Sequence, residues 1–127
     1  MGKYRVDLRD VEFNLTEMLK VQEWKKYGLE DQDIKGILTE YVKFVENEVF
    51  PSREPSDQIG LKHIDGKVIV PEVLRGPQKS FYDNGWFALG MPEDIGGTPV
   101  PEALYVSCMS LATGANCAWM MYPGLSR

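Results

Sequence analysis

Side chains that bind metals are scarce in this sequence. It contains one histidine and two cysteines, and Cys108 and Cys117 lie nine residues apart in an apolar segment. A structural zinc ion takes four ligands, most of them cysteine or histidine, so these three side chains cannot complete such a site. Thiols in an apolar segment are typical of buried, reduced cysteines in a reducing compartment. We therefore expect no metal site, two buried thiols and a cytoplasmic protein.

Clusters of basic residues are missing as well. The formal net charge is −5, and Lys25 and Lys26 are the only adjacent pair among the lysines and arginines. A protein that binds nucleic acid needs a basic face to neutralise the phosphates. The charge pattern therefore argues against nucleic acid as a partner.

The sequence also has little that would target or anchor it. Residues 1–10 carry charges of both signs and no apolar stretch, which argues against a secretory signal or a transit peptide. Residues 103–125 carry no charge and are long enough to cross a bilayer. This run, however, includes serine, threonine, asparagine, glycine and proline, and no basic cluster flanks it. Two buried helices with a kink near Gly114 explain the run better than a membrane span.

Helical periodicity accounts for most of the chain. The strongest pattern begins near Glu30 and places apolar residues at steps of three and four as far as Val49, and we expect Pro51 to end this helix. Asn14 and Glu17 have the spacing of a capping box that would start an earlier helix. The other predicted helices cover residues 15–25, 77–84, 101–113 and 116–122, with Gly85 capping the second and Pro123 closing the last, while residues 51–60 and 92–100 are predicted loops.

Two short segments fall outside the helical pattern. Tyr4, Val6 and Leu8 alternate with charged residues, which predicts a short half-buried strand or an extended arm. Residues 61–70 are typical of a β-hairpin that turns at Asp65 and Gly66. The predicted fold class is therefore all-α, an up-and-down helical bundle with a small β-hairpin and an extended N-terminal arm.

Two segments could carry chemistry. Residues 94–97 (Asp-Ile-Gly-Gly) lack the Gly-Lys-Ser/Thr element and the three-glycine dinucleotide pattern, so a tight turn with positive φ explains them better than a phosphate loop. Trp119, Met120, Met121 and Tyr122 form an uninterrupted polarizable and aromatic run. Such a run suits core packing, which the pattern alone favours, and it equally suits a pocket for a flexible acyl chain.

Several blocks in the chain occur in a distinctive order: residues 84–89 (Asn-Gly-Trp-Phe-Ala-Leu), residues 92–97 (Pro-Glu-Asp-Ile-Gly-Gly) and residues 110–112 (Ser-Leu-Ala). In this order they resemble the N-terminal helical domain of the flavin-dependent acyl-CoA dehydrogenases. Residues 115–125 and 44–51 are similar to longer members of that family, some of which act on methylthio-propionyl-CoA. The resemblance covers nearly the whole chain, with residues 1–28 as an N-terminal extension and residues 29–127 as the helical domain.

The resemblance implies an enzyme in which a carboxylate removes the α-proton of an acyl-CoA thioester while the β-hydrogen leaves as hydride to FAD. In the family the flavin barrel, the C-terminal helices and the catalytic glutamate follow this region. The resemblance thus implies no catalytic and no cofactor-binding residue within this chain. By itself, the chain should bind FAD poorly and should not catalyse the reaction. The implied partners are the acyl-CoA, the remaining dehydrogenase domains, a second copy in a homo-oligomer and an electron-transfer flavoprotein.

For substrate binding, the resemblance points to the end of the chain. Trp119, Met120 and Pro123 fall on positions that line the far end of the acyl pocket, and the bulk of Trp119 and Met120 implies a short or branched acyl group. Two other hypotheses stay open. One is a non-catalytic helical module that binds a hydrophobic ligand or a partner subunit, and the other is a membrane-associated protein.

Overall fold

Helices make up most of the chain in a computed structural model that describes residues 2–125. A two-stranded hairpin is the main exception, so the predicted helical fold class with a small hairpin is confirmed. Ser126 and Arg127, which belong to the predicted domain 29–127, lie outside the described residues. The elements are α1 (Leu8–Glu12), α2 (Asp31–Phe44), α3 (Arg53–Ile59), β1 (Lys62–Ile64), β2 (Lys67–Ile69), α4 (Arg75–Asp83), α5 (Glu102–Ala115) and α6 (Cys117–Gly124).

The first helix begins earlier than predicted. Helix α1 starts after Asp7, whose carboxylate accepts a hydrogen bond from the amide of Asp10, and it continues through a π-helical turn as far as Met18. Asn14 lies inside this segment rather than at its start, and its side chain donates to the carbonyl of Asp10 at 2.8 Å. Lys20, in the left-handed region with φ of 51°, ends the segment. The prediction of a helix over 15–25 capped by Asn14 is therefore wrong.

The N-terminal arm packs on the helices. Residues 2–7 form no strand. The ring of Tyr4 stacks on Phe50 with 5.3 Å between centroids, and its hydroxyl donates to the carbonyl of Leu111 in α5 at 2.9 Å. Farther along, Leu15 and Val21 are buried in the main core. The predicted N-terminal extension thus shares the core of the remaining helices.

The chain stays helical beyond Pro51, contrary to prediction. Helix α2 passes through a π-helical turn (Val45–Val49) and a 3-10 turn (Phe50–Ser52) directly into α3. Pro51 lies within the first two residues of the 3-10 turn, a position at which a helical turn accommodates proline. The predicted stop at Pro51 and the predicted loop over residues 51–60 are both wrong.

The hairpin and the end of α4 agree with the sequence pattern. Strands β1 and β2 pair antiparallel, and their turn residues Asp65 and Gly66 have φ of 50° and 74°. Two central residues with positive φ are what a tight hairpin turn requires. Gly85 follows α4 with φ of 76°, so its predicted role as the C-terminal cap is confirmed.

Helices α5 and α6 are separated by one residue, Asn116, rather than at Gly114. Asn116 has φ of −154°, and its side-chain oxygen accepts from the amide of Trp119, which caps α6. Gly114 remains helical, and a Cβ there would come within 2.8 Å of the Tyr4 hydroxyl, so this glycine gives room to the arm. Pro123 lies inside α6 instead of closing it.

The core lies between α2, α4, α5 and α6. Its buried apolar residues include Ile34, Leu38, Tyr41, Phe44, Val45, Val49, Phe81, Leu104, Cys108, Ala112, Ala115, Trp119 and Met120. Cys108 is buried as predicted, and burial raises the pKa of its thiol to about 12. Cys117 is exposed at the start of α6, so the prediction of two buried thiols is wrong for this residue.

Candidate functional site

A buried polar cluster holds the junction between α5 and α6. The amide nitrogen Nδ2 of Asn116 donates to Ser52 Oγ at 2.9 Å and to Ser56 Oγ at 3.5 Å. Its Oδ1 accepts from the backbone amide of Trp119 at 3.1 Å. We call Asn116, Ser52 and Ser56 the Asn116 cluster. All three are buried, and they tie the first turn of α6 to α3 and to the 3-10 turn before it.

Helix α6 directs the indole of Trp119 into the core. The side chain is 0% exposed. It makes edge-on contacts with Phe81, at 5.6 Å between centroids, and with Phe44, at 5.9 Å. The indole Nε1 is buried and has no hydrogen-bond partner among the residues that the structure describes. The indole therefore packs edge-on against aromatic rings from α2 and α4.

The other two predicted pocket residues lie near Trp119. Met120 is 6% exposed and Pro123 is buried, whereas Met121 and Tyr122 are exposed. The structure therefore brings Trp119, Met120 and Pro123 together on the buried side of α6. Their contact with an acyl chain stays a prediction, because within residues 2–125 this side of the helix is packed against other side chains.

Two surface clefts run beside α6. A cleft of about 470 Å³ lies between α3 and the start of α6, and its charged lining residues are Arg53, Glu54 and Asp57. An apolar groove of about 350 Å³ continues along the helix, lined by Gly60, Leu61, Pro71, Leu74, Met121 and Tyr122. We call this second cleft the α6 groove. The two clefts share Ser56, Asp57 and Ala118, so they meet along α3.

The loop before α5 is held by backbone hydrogen bonds. Gly96 has φ of 82°, so the tight turn predicted for residues 94–97 is confirmed. Its neighbour Gly97 donates to the carbonyl of Pro92 at 2.9 Å. A Cβ on Gly97 would overlap the backbone carbonyl of Met91, so this second glycine is required by close backbone approach rather than by its φ.

Sequence reasoning missed the two serines of the Asn116 cluster. Ser52 and Ser56 are four residues apart, which places them on one face of a helix. That spacing was the available signal. It was missed because Pro51 led to the prediction of a loop over residues 51–60, and spacing of four residues indicates a shared face only in a helix.

Three characterised proteins match this chain over nearly its full length. A broad-specificity linear acyl-CoA dehydrogenase of Mycobacterium tuberculosis is 31% identical over 98% of the chain. A 3-methylmercaptopropionyl-CoA dehydrogenase of Ruegeria pomeroyi is 24% identical over 97%, and a butyryl-CoA dehydrogenase of Syntrophomonas wolfei is 30% identical over 94%. These matches support an N-terminal segment of the acyl-CoA dehydrogenase family.

This chain spans about a fifth of the length of these acyl-CoA dehydrogenases, from 21% to 22%. No model of a known protein family matches it. Among residues 2–125, no helix is both long enough and apolar enough to cross a bilayer. Within the same residues, no three potential metal-ligating side chains lie together.

The family implies FAD, and the clefts beside α6 do not fit it. The larger cleft presents the carboxylates of Glu54 and Asp57 together with a single guanidinium, that of Arg53. Two carboxylates disfavour the diphosphate of a dinucleotide, since like charges repel at close range. The α6 groove is mainly apolar and has no basic lining residue. The lining of these two clefts therefore gives no basis for assigning a flavin contact to them.

Proposed function

We propose that this chain is the N-terminal helical part of an FAD-dependent acyl-CoA dehydrogenase, which introduces a double bond between the α and β carbons of an acyl-CoA thioester. The observation that carries this proposal is the match to three such enzymes over 94% to 98% of the chain. When bound, FAD accepts the hydride in this chemistry. The contribution of this chain is to bind and limit the acyl group.

Within that enzyme, we propose that Trp119, Met120 and Pro123 form the wall at the far end of the acyl pocket. The indole of Trp119 is held between two aromatic rings, so it is a rigid stop rather than a side chain that swings aside. A rigid, bulky wall favours a short or branched acyl group. Two of the relatives are named for short acyl groups, butyryl and 3-methylmercaptopropionyl, which supports the same preference.

The α6 groove is the surface on which we propose that the remaining dehydrogenase domains pack. Leu61, Met121 and Tyr122 line this groove and have exposed fractions of 63%, 52% and 37%. Adjacent exposed apolar side chains on this scale mark interaction surfaces in soluble proteins. Assembly into a homo-oligomer and transfer of electrons to an electron-transfer flavoprotein are further proposals, which rest on the family alone.

The test is a chain-length profile of the full-length protein that carries this segment. The protein is loaded with FAD, and kcat/KM is measured on acyl-CoA substrates of increasing length with a dye as electron acceptor. We expect the highest kcat/KM for short or branched acyl groups. Faster turnover of long-chain than of short-chain substrates would contradict the proposed wall.

Trp119→Leu then tests the assigned residue, with Trp24→Leu as the matched control at a tryptophan that is 42% exposed. Trp119→Leu should raise kcat/KM for longer substrates relative to short ones and leave the flavin spectrum unchanged, while Trp24→Leu should leave the profile unaltered. A full-length protein without flavin would favour the alternative, a non-catalytic helical module whose open α6 groove binds a hydrophobic ligand or partner subunit.

A further inference from the structure

We propose that Asn116 is the positioning residue of the acyl-pocket wall: by tying the start of α6 to Ser52 and Ser56, it sets the direction of α6 and so the placement of Trp119, Met120 and Pro123. This inference rests on the proposed function. Asn116 does not itself touch the acyl group. It acts through the helix that it starts.

The backbone of Asn116 belongs to both helices. Its amide donates to the carbonyl of Ala112 at 3.0 Å, as the last hydrogen bond of α5. Its carbonyl accepts from the amide of Met120 at 3.1 Å, as the first hydrogen bond of α6. Because Asn116 alone has an extended conformation between the two helices, the angle between α5 and α6 depends on this one residue.

The side chain of Asn116 reaches a third element. Ser52 Oγ donates to the carbonyl of Val49 at 2.6 Å, and Ser56 Oγ donates to the carbonyl of Arg53 at 2.9 Å. With both hydroxyl hydrogens committed, the two serine oxygens can only accept at Asn116. The Nδ2 group is a donor, so it faces the serines, and Oδ1 is left for the amide of Trp119.

This arrangement needs an asparagine rather than another good cap. Aspartate, serine and threonine also cap helices through a side-chain oxygen. None of them combines that acceptor with an amide donor that reaches Ser52 and Ser56. Aspartate in particular would set a carboxylate against hydroxyl oxygens whose hydrogens are donated to backbone carbonyls, so a new hydrogen bond would require a serine to give up its present one. The change Asn116→Asp therefore keeps the cap on α6 and removes the tether to α3.

A small error in the direction of α6 is amplified along the helix. Pro123 lies seven residues after Asn116, or about 10 Å from the junction at 1.5 Å per residue. A rotation of about 10° at the junction would move Pro123 by roughly 2 Å. Misplacement of a substrate-positioning group by about 1 Å can cost a hundredfold in rate. The wall thus needs a fixed junction, and the Asn116 cluster supplies it.

The first experiment follows Trp119 in this chain without flavin or substrate. Incorporation of fluorotryptophan gives one fluorine NMR signal for each of Trp24, Trp86 and Trp119. In Asn116→Asp and in Ser52→Ala, we expect the Trp119 signal to shift and the Trp24 signal to stay in place. Asn47→Asp makes the same chemical change at an exposed asparagine outside the cluster, and it should leave the Trp119 signal in place.

The second experiment measures the acyl-CoA chain-length profile of the full-length protein. We expect Asn116→Asp and Ser52→Ala to lower kcat/KM for the preferred substrate by about tenfold or more, and to lower it less for other chain lengths. A residue that only supported the fold would reduce the amount of active enzyme equally for all substrates.

An unmoved Trp119 signal in folded Asn116→Asp and Ser52→Ala would overturn the proposal, and so would a uniform loss of activity across chain lengths. If Asn116→Asp does not fold, Ser52→Ala decides the matter, because it removes one hydroxyl and leaves the cap intact. Failure of the proposed function has a different outcome: the full-length protein would oxidise no acyl-CoA, while the fluorine signals would still report whether Asn116 positions Trp119.

Discussion

Replacing Trp119 with alanine should cost much of the stability of this chain. The indole is 0% exposed and lies edge-on to Phe44 and Phe81. Truncation of a buried tryptophan to alanine costs about 3–5 kcal/mol, and each aromatic pair contributes about 0.5–1.5 kcal/mol beyond its buried area. We therefore expect a loss of about 4–5 kcal/mol. A domain of this size has roughly 5–15 kcal/mol in total.

Urea unfolding followed by circular dichroism measures this loss. With a slope of about 2 kcal/mol per molar urea, the midpoint should fall by about 2 M while the slope stays unchanged. Met121→Ala is the matched control, because Met121 lies on the same helix and is 52% exposed. Its midpoint should stay within the equivalent of about 0.5 kcal/mol. A loss below about 1 kcal/mol for Trp119→Ala would refute the packing of the indole between the two rings.

Three further predictions test other parts of the fold. In the native chain a thiol reagent should modify exposed Cys117 and spare Cys108 until the chain unfolds. Burial raises the pKa of Cys108, so the stability that this thiol contributes should be intact below about pH 9 and should be lost as the pH rises toward 12. The variant Cys108→Ala should show a smaller decline over the same pH range. The variant Tyr4→Phe keeps the ring stacking and loses the hydrogen bond to Leu111, so the free energy of unfolding measured in urea should fall by about 1 kcal/mol. An unchanged free energy of unfolding would show that the N-terminal arm does not pack on the helices. The variant Gly96→Ala should lose about 1–2 kcal/mol of stability because of the left-handed φ at this position. In thermal melts Gly97→Ala should be destabilised more than Gly96→Ala, and the reverse order would contradict the close backbone approach at Gly97.

Local signals predicted the elements whose boundaries are set locally. The amphipathic pattern of α2 requires only its own side chains, and it is confirmed from Asp31 onward. The turn at Asp65 and Gly66 and the cap at Gly85 depend on φ values that few residues adopt, so they too could be read from the sequence. These predictions succeeded because the residue type and the structural requirement lie in the same short segment.

Local signals failed where one residue was compatible with two different structures. Pro51 is a helix breaker in an interior and a good first residue of a new turn, and the sequence does not say which position it occupies. Asn14 was the predicted cap, but the structure caps the first helix with Asp7, seven residues earlier. In the candidate site, the predicted residues Trp119, Met120 and Pro123 do lie together, but the serines that hold their helix went unrecognised.

The sequence alone determined that the chain is helical, where its hairpin turns, and which family its ordered motifs resemble. Only the tertiary structure decided that Trp119 is held between Phe44 and Phe81, and that Asn116 joins Ser52 across 64 positions of the chain. The physical reason is the distance along the chain over which each kind of interaction acts. Periodicity, caps and turn residues act over a few neighbours, whereas a buried hydrogen bond or an aromatic contact between distant segments exists only once the helices have packed.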